Sequence, residues 1–335
     1  MNPADVLSHW LASSHRARLQ PVDQQGFSGA RVWQVTHDAR QYALRQWPAA
    51  FPASRLSEIH ELQQFLRARG VPVAAPIKTQ SGATLVELTG RQWELADWCP
   101  GAADYHRDPR PEKLHAAMHT LARIHLAAVE FISTAGRGGA IIAPAPSLAR
   151  RQARAQALLS GEIAAIGAAV LQAQAGSGDE LRSLAPVALT LIEQTLPAIA
   201  RQLAAWQSTP LPLQWRLGDV HHDHILFTSD RVTGVIDFGA AAVDAPAGDV
   251  SRLLGSLVDD DRAAWRDGLA AYEQVRPLSQ TERDAARLFA ASGTVLAAAN
   301  WLHWLLVEPP PAADPLNRPA ALDRLRLLTN RLRTL

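Results

Sequence analysis

Between Arg216 and Asp249 the chain reads RLGDVHHDHILFTSDRVTGVIDFGAAAVDAPAGD, a stretch dense in carboxylates and imidazoles. It holds Asp219, Asp223, Asp237, Asp244 and Asp249, with His221, His222 and His224 among them. Asp237 follows the apolar run Gly234-Val235-Ile236 and precedes Phe238-Gly239. A carboxylate at a strand end, next to a glycine that lets the backbone turn, is well placed to hold a cation. Asp219 stands 18 positions before Asp237, and a hairpin between them would bring both carboxylates to one pocket. Phosphoryl transfer needs that pairing. One carboxylate positions and deprotonates the attacking hydroxyl, and the other holds a cation on the phosphates.

The cluster His221-His222-Asp223-His224 reads as functional, because titratable groups crowded into a cleft rarely serve a core. His222 and Asp223 taken singly read as outward-facing or structural. Other features carry plainer readings. His125 reads as a helix cap or a packing side chain. The run Asp259-Asp260-Asp261 reads as a solvated loop rather than a site for a cationic ligand. Trp301 and Trp304 read as core packing.

Positioning these groups requires two kinds of architecture. Residues 20–50 alternate like short strands around the turn Gly26-Phe27-Ser28-Gly29, with strands at residues 30–35 and 41–46. Residues 55–69 carry Leu56, Ile59, Leu62 and Leu66 at helical spacing, with Gly70 at the stop and Pro72 beyond. Residues 84–87 and 93–96 are again strand-like, so this part reads β-β-α-β-β. After Pro109 come alanine- and leucine-rich helices at 112–129, 147–175 and 179–206. The glycine- and proline-rich run 134–146 reads as a flexible loop. Two short strands, 225–228 and 234–236, interrupt the helices, which resume at Asp249. The sequence thus predicts an α+β bilobal chain: a small β-rich N-terminal lobe over residues 1–98 and a large, mainly helical lobe over 99–335. The ligand would sit between them.

Gly218-Asp219-Val220-His221, the hairpin, Ile236-Asp237-Phe238-Gly239 and the segment Asp244–Asp249 together resemble the aminoglycoside phosphotransferase family, relatives of protein kinases. That family carries H-G-D-x-H-x-x-N, then I-D-F/W-x, then a D-P-x-x-D-L segment. Leu121-Ala122-Arg123-Ile124-His125 is similar to its L-A-x-L-H helix end, and the resemblance runs in order over roughly residues 20–260. It implies a protein kinase-like fold and an ATP-dependent (or GTP-dependent) kinase of a small hydroxylated molecule: a sugar, amino-sugar or amino alcohol. Asp219 would be the catalytic base, His221 the loop histidine and Asp237 a metal ligand. Asp249 would brace the catalytic loop. Gly26, Ser28 and Gly29 would cover the nucleotide phosphates, and Arg45 would contact them. The helix partner of Arg45 is left open: Glu58 has Leu62 and Phe65 at suitable offsets, with His60 and Glu61 close by. Glu94, Ala96 and Trp98 would lie in the hinge that holds adenine. Magnesium is the implied cation, with manganese as the alternative. The chain departs from the pattern at two places. Leu217 replaces the opening histidine, and His224 replaces the metal-binding asparagine.

The whole chain sets outer bounds. With 33 basic and 32 acidic residues the formal charge is +1, which asks for neither a nucleic-acid nor an anionic-membrane partner. The lone Cys99 rules out an intramolecular disulfide and a cysteine-built zinc site, and fits a reducing cytoplasm. Oligomeric state is not legible. Two other functions compete with the kinase. A pseudokinase is motivated by His224, and a metal-dependent phosphohydrolase by the His222-Asp223 dipeptide.

Overall fold

The computed structural model describes residues 3–22, 29–134, 141–174, 180–308 and 318–335. A short helix α1 (Pro3–Val6) leads into five strands: β1 (Arg18–Pro21), β2 (Arg31–His37), β3 (Arg40–Gln46), β4 (Val86–Leu88) and β5 (Arg91–Asp97). They form an antiparallel sheet in the order β1-β2-β3-β5-β4. Side chains alternate across a strand, so β2, β3 and β5 send Val35, Leu44, Trp93 and Leu95 to one face. There they meet Val6, Leu7 and Trp10 in a small core of their own.

Helix α2 (Ala53–Ala68) crosses between β3 and β4 in sequence. Its apolar stripe buries Leu56, Ile59, Leu62 and Leu66. Gly70, at φ +72°, ends it in the left-handed conformation that glycine adopts freely, and Val71 N–H donates back to the Leu66 carbonyl at 3.1 Å. Ile59, Leu62 and Leu66 belong to the large core of the second lobe, so α2 ties the two lobes together.

The second lobe is built from α3 (Pro111–Thr134), α4 (Pro146–Ala157), α5 (Ile163–Gln174), α6 (Glu180–Trp206), α7 (Ala247–Leu257), α8 (Arg262–Val275), α9 (Gln280–Leu306) and α10 (Arg318–Leu332). The single helix expected over 147–175 is two helices. A π-helical turn at Leu158–Glu162 separates them, with Gly161 at φ +143°. Two stretches, Pro146–Ala173 and Glu180–Trp206, are long and apolar enough to cross a membrane by length and composition. Helix α6 buries Leu181, Ala185, Ile192, Leu196 and Leu203 in the core of this lobe.

The lobe also holds strands β6 (Ile141–Pro144), β7 (Pro210–Arg216), β8 (Ile225–Thr228), β9 (Arg231–Val235) and β10 (Ala242–Asp244). β8 and β9 make the expected hairpin. β10, β7 and β6 make a three-stranded sheet that the sequence reading did not foresee. Its cause is pairing across distance. Ile141 to Pro144, read as loop, lies antiparallel to Leu213 to Pro210.

Candidate active site

β7 ends at Arg216 and delivers the chain into the loop Leu217–His221. Gly218 turns it at φ +84°, and a Cβ there would come within 2.3 Å of the Ala240 carbonyl oxygen. The loop is held from below by Asp249, which is fully buried on the first turn of α7. Its carboxylate accepts the Leu217 amide at 2.6 Å, the Gly218 amide at 2.9 Å and Arg216 Nη1 at 3.2 Å. His125 Nε2 lies 3.3 Å away, and the Nδ1 of the same ring is 2.7 Å from the Tyr272 hydroxyl. Burial alone would raise the Asp249 carboxyl. The His125 hydrogen bond, the Arg216 charge and the loop amides outweigh it and hold the group below the ordinary carboxylate range. Burial pushes the His125 ring the other way, toward the neutral form, against the opposing pull of Asp249. His125 stands well inside α3, not at its end, because α3 runs on to Thr134.

Asp219 emerges from this braced loop with its side chain exposed. Arg252 Nη2 and Nε both donate to its Oδ1, at 2.9 and 3.2 Å. The hairpin then returns the chain so that Asp237 lies beyond β9, at φ +61°. A non-glycine residue in that region is strained, and such strain gathers at functional turns. The Gly239 amide donates to Asp237 Oδ1 at 3.4 Å and Arg45 Nη1 at 3.3 Å. Burial would raise the Asp237 carboxyl, but the Arg45 charge outweighs it and holds the group below its usual range.

His224 links the two aspartates. Its Nδ1 is 2.9 Å from the Asp219 main-chain oxygen, and its Nε2 is 3.6 Å from Asp237 Oδ2. A carbonyl only accepts, so Nδ1 carries the proton and Nε2 presents its lone pair toward Asp237. Burial also lowers the ring's proton affinity. Nε2 and Oδ2 are close enough to share one ion, since bonds of about 2.1 Å span up to about 4 Å between ligand atoms. The donor set therefore fits a divalent cation. One imidazole among the donors suits manganese at least as well as magnesium, which prefers oxygen.

His221 packs its ring on His224, centroids 3.7 Å apart. Its pKa is lowered to about 3, by burial first and then by His224 and Arg252. It is a neutral group at physiological pH. One ligand atom each from His221, His222 and Asp223 also lie within 4.8 Å of one another, with Arg324 3.6 Å from Asp223.

On the small-lobe side, the structure places Glu58 and His60 on different faces of α2. Glu58 lies on the exposed face of α2. The residue that α2 turns inward is His60, because the buried stripe through Leu56, Ile59 and Gln63 carries it to the inner side. His60 Nε2 is 2.6 Å from Glu94 Oε2, and Trp47 Nε1 donates to the same oxygen at 2.9 Å. Arg45 Nε lies 3.7 Å from Glu94 Oε1, with its guanidinium 4.9 Å from the Trp47 ring centroid. Arg45 thus stands between Glu94 and Asp237. Glu94 sits inside β5, opposite Arg45 on β3. Burial opposes ionisation of Glu94, yet the His60 hydrogen bond and the Arg45 charge hold its carboxyl below the usual value. Ala96 is buried in the same strand, and the half-buried Trp98 follows it, its amide 3.2 Å from the Gln41 carbonyl. Gly29 lies just before β2; Gly26 and Ser28 fall outside the described residues.

The acidic run is spent on structure. Asp261 caps α8 through the amides of Ala263 and Ala264, and Asp260 accepts from Arg331 and Thr334. Two groups escape the sequence reading: Arg252 and the carboxylate of Glu94. The helical phase of α7 is the signal that finds the first, as that of α2 singles out His60 over Glu58.

A small antiparallel lobe over a helical lobe, with two aspartates joined by a hairpin at their junction, is the architecture of a kinase-like phosphotransferase. Residues 22–289 match the model of the phosphotransferase enzyme family, and the chain belongs to that family. It is similar to the homoserine kinase of Granulibacter bethesdensis, 26% identical over 265 residues covering 76% of this chain and 73% of the relative. The homoserine kinase of Brucella anthropi is 29% identical over 255 residues, covering 73% and 68%. Among solved structures, an aminoglycoside phosphotransferase from Alicyclobacillus acidocaldarius superposes with TM-score 0.66 at 17% identity, covering 100% of this chain and 94% of the other. A microcompartment-associated aminopropanol kinase superposes with TM-score 0.59 at 16% identity, covering 98% and 94%. The protein is a small-molecule kinase that phosphorylates a hydroxyl group.

Proposed function

We propose that the protein transfers the γ-phosphoryl group of ATP to the hydroxyl of an amino alcohol or related small metabolite, in the cytoplasm. Residues 1–98 act as the nucleotide-binding lobe, and residues 99–335 supply the base and the acceptor site. The observation that carries the reading is the contact His224 makes with both the Asp219 main chain and the Asp237 carboxylate, which supports a shared role for the two aspartates. The homoserine kinase names of the relatives support an amino-alcohol acceptor over an aminoglycoside.

Asp219 takes the proton of the acceptor hydroxyl as its oxygen bonds to the γ-phosphorus and the bond to the bridging oxygen of ADP breaks. Arg45, held by Glu94 and next to Asp237, places its charge on the phosphates. A divalent cation at Asp237 and His224 would neutralise phosphate charge. Ala96 and Trp98 border the adenine side, and Gly29 the phosphate side. His221, neutral and packed on His224, keeps that ring in place.

The deciding experiment is thermal-shift titration with ATP or GTP, each with magnesium, manganese or no metal. The expected result is a metal-dependent rise in melting temperature that Asp237→Ala removes. A nucleotide-dependent shift with no ADP release across hydroxyl acceptors would favour the pseudokinase instead.

A further inference from the structure

Arg252 is the cation nearest the base, and the transfer chemistry above leaves it without a task. One face of α7 carries Asp249, Arg252 and Ser256, spaced so that all three lie along the catalytic loop. Asp249 takes the amides of Leu217 and Gly218, and Ser256 Oγ takes the His222 amide at 3.0 Å. Those contacts grip the backbone. Arg252 instead reaches a side chain, Asp219, and both partners are half exposed, at 49% and 54%. An exposed ion pair contributes little to stability and exchanges readily with a competing ligand. Its two donors converge on one carboxylate oxygen, so the planar fork already adopts the geometry of carboxylate recognition.

A second guanidinium stands close by, paired with a carboxylate of its own. Arg324 on α10 stands by Asp223, and both guanidiniums act on His221. Asp260 and Asp261, which follow α7, are committed to Arg331 and the α8 cap. The entrance beside Asp219 therefore offers guanidinium to an incoming acceptor.

We propose that Arg252 is the anion anchor of the acceptor site and that the acceptor is a short hydroxy acid. Its carboxylate takes the place of Asp219 on the guanidinium, and its hydroxyl meets the aspartate so released. The base is thus freed by the group that identifies the substrate. Because Arg252 and Asp219 touch, the acceptor's carboxylate and hydroxyl lie a few bonds apart, which disfavours large polycations. This inference rests on the reading of Asp219 as the base.

The test compares three acceptors: homoserine, 3-aminopropan-1-ol, which lacks its carboxylate, and 4-hydroxybutanoate, which lacks its amine. ADP release is measured for wild type, Arg252→Gln and Arg252→Lys, and calorimetry measures 4-hydroxybutanoate binding to each. Wild type is expected to prefer both acids. Arg252→Gln should raise KM for the acids by about 10- to 100-fold and erase the preference, with Arg252→Lys between the two. A wild type that prefers the alcohol overturns the anchor, as does an equal loss of kcat for all three acceptors at unchanged KM. If no acceptor is phosphorylated yet 4-hydroxybutanoate binds wild type and not Arg252→Gln, the transfer reading falls and the anchor stands. No binding of 4-hydroxybutanoate to wild type removes the anchor.

Discussion

His60 on α2 and Glu94 on β5 meet at 2.6 Å, both side chains buried. The helix thereby reaches Arg45 through an intermediate carboxylate on the neighbouring strand. His60→Ala leaves Glu94 with Trp47 and Arg45 but strips its shortest hydrogen bond. It should cost about 1–3 kcal/mol in urea unfolding and raise KM for the nucleotide. His60→Gln keeps a donor and should recover part of both. Unchanged nucleotide KM in His60→Ala would disconnect α2 from Arg45.

Asp219→Asn keeps the shape and loses the base. Transfer should fall by about 10²- to 10⁴-fold, while nucleotide binding by thermal shift stays near wild type. Activity close to wild type would assign the proton to another group.

His224→Asn replaces the imidazole lone pair with an amide oxygen, a harder ligand. The ratio of magnesium-supported to manganese-supported activity should rise in the variant. Equal activity with both ions in both proteins would take His224 out of the cation site.

Acid should weaken the fold through the His125–Asp249 pair. The His125 ring is held toward neutrality, so the unfolded chain takes up its proton first as pH falls below about 6.5. Asp249 is held ionised, so its contribution is present above the unfolded value near 3.9 and is lost as pH falls through the lower folded value. Both signs agree: stability falls with pH, first through the histidine and then through the aspartate. Urea midpoints at pH 7.5, 6, 5 and 4 check this, and His125→Asn should flatten the upper part of the decline.

The groups most legible in the sequence are those that sit close together in the chain. Asp219, Asp237 and Asp249 announce themselves because loop, hairpin and helix start follow one another within a single stretch. Residues meeting across the fold were harder. Glu58 drew attention by charge, yet the stripe Leu56, Ile59, Leu62, Leu66 already put His60 on the inner side and Glu58 on the outer. Arg252 is one arginine among many until the face shared with Asp249 and Ser256 is drawn. β7 alternates Leu211, Leu213 and Trp215, but Pro210 and Pro212 disguise it, since proline is usually excluded from paired strands. The break at Gly161 was hidden by alanine-rich sequence on both sides.

Gly218 passes the Ala240 carbonyl at a distance that leaves no room for a methyl group. The loop bearing Asp219 and the turn bearing Asp237 are therefore spaced by main chain against main chain, as two plates with no gasket. One carbon added at position 218 would wedge that seam open and separate the two carboxylates. The separation of the two carboxylates is thus fixed where Gly218 meets Ala240, not by the side chains around them.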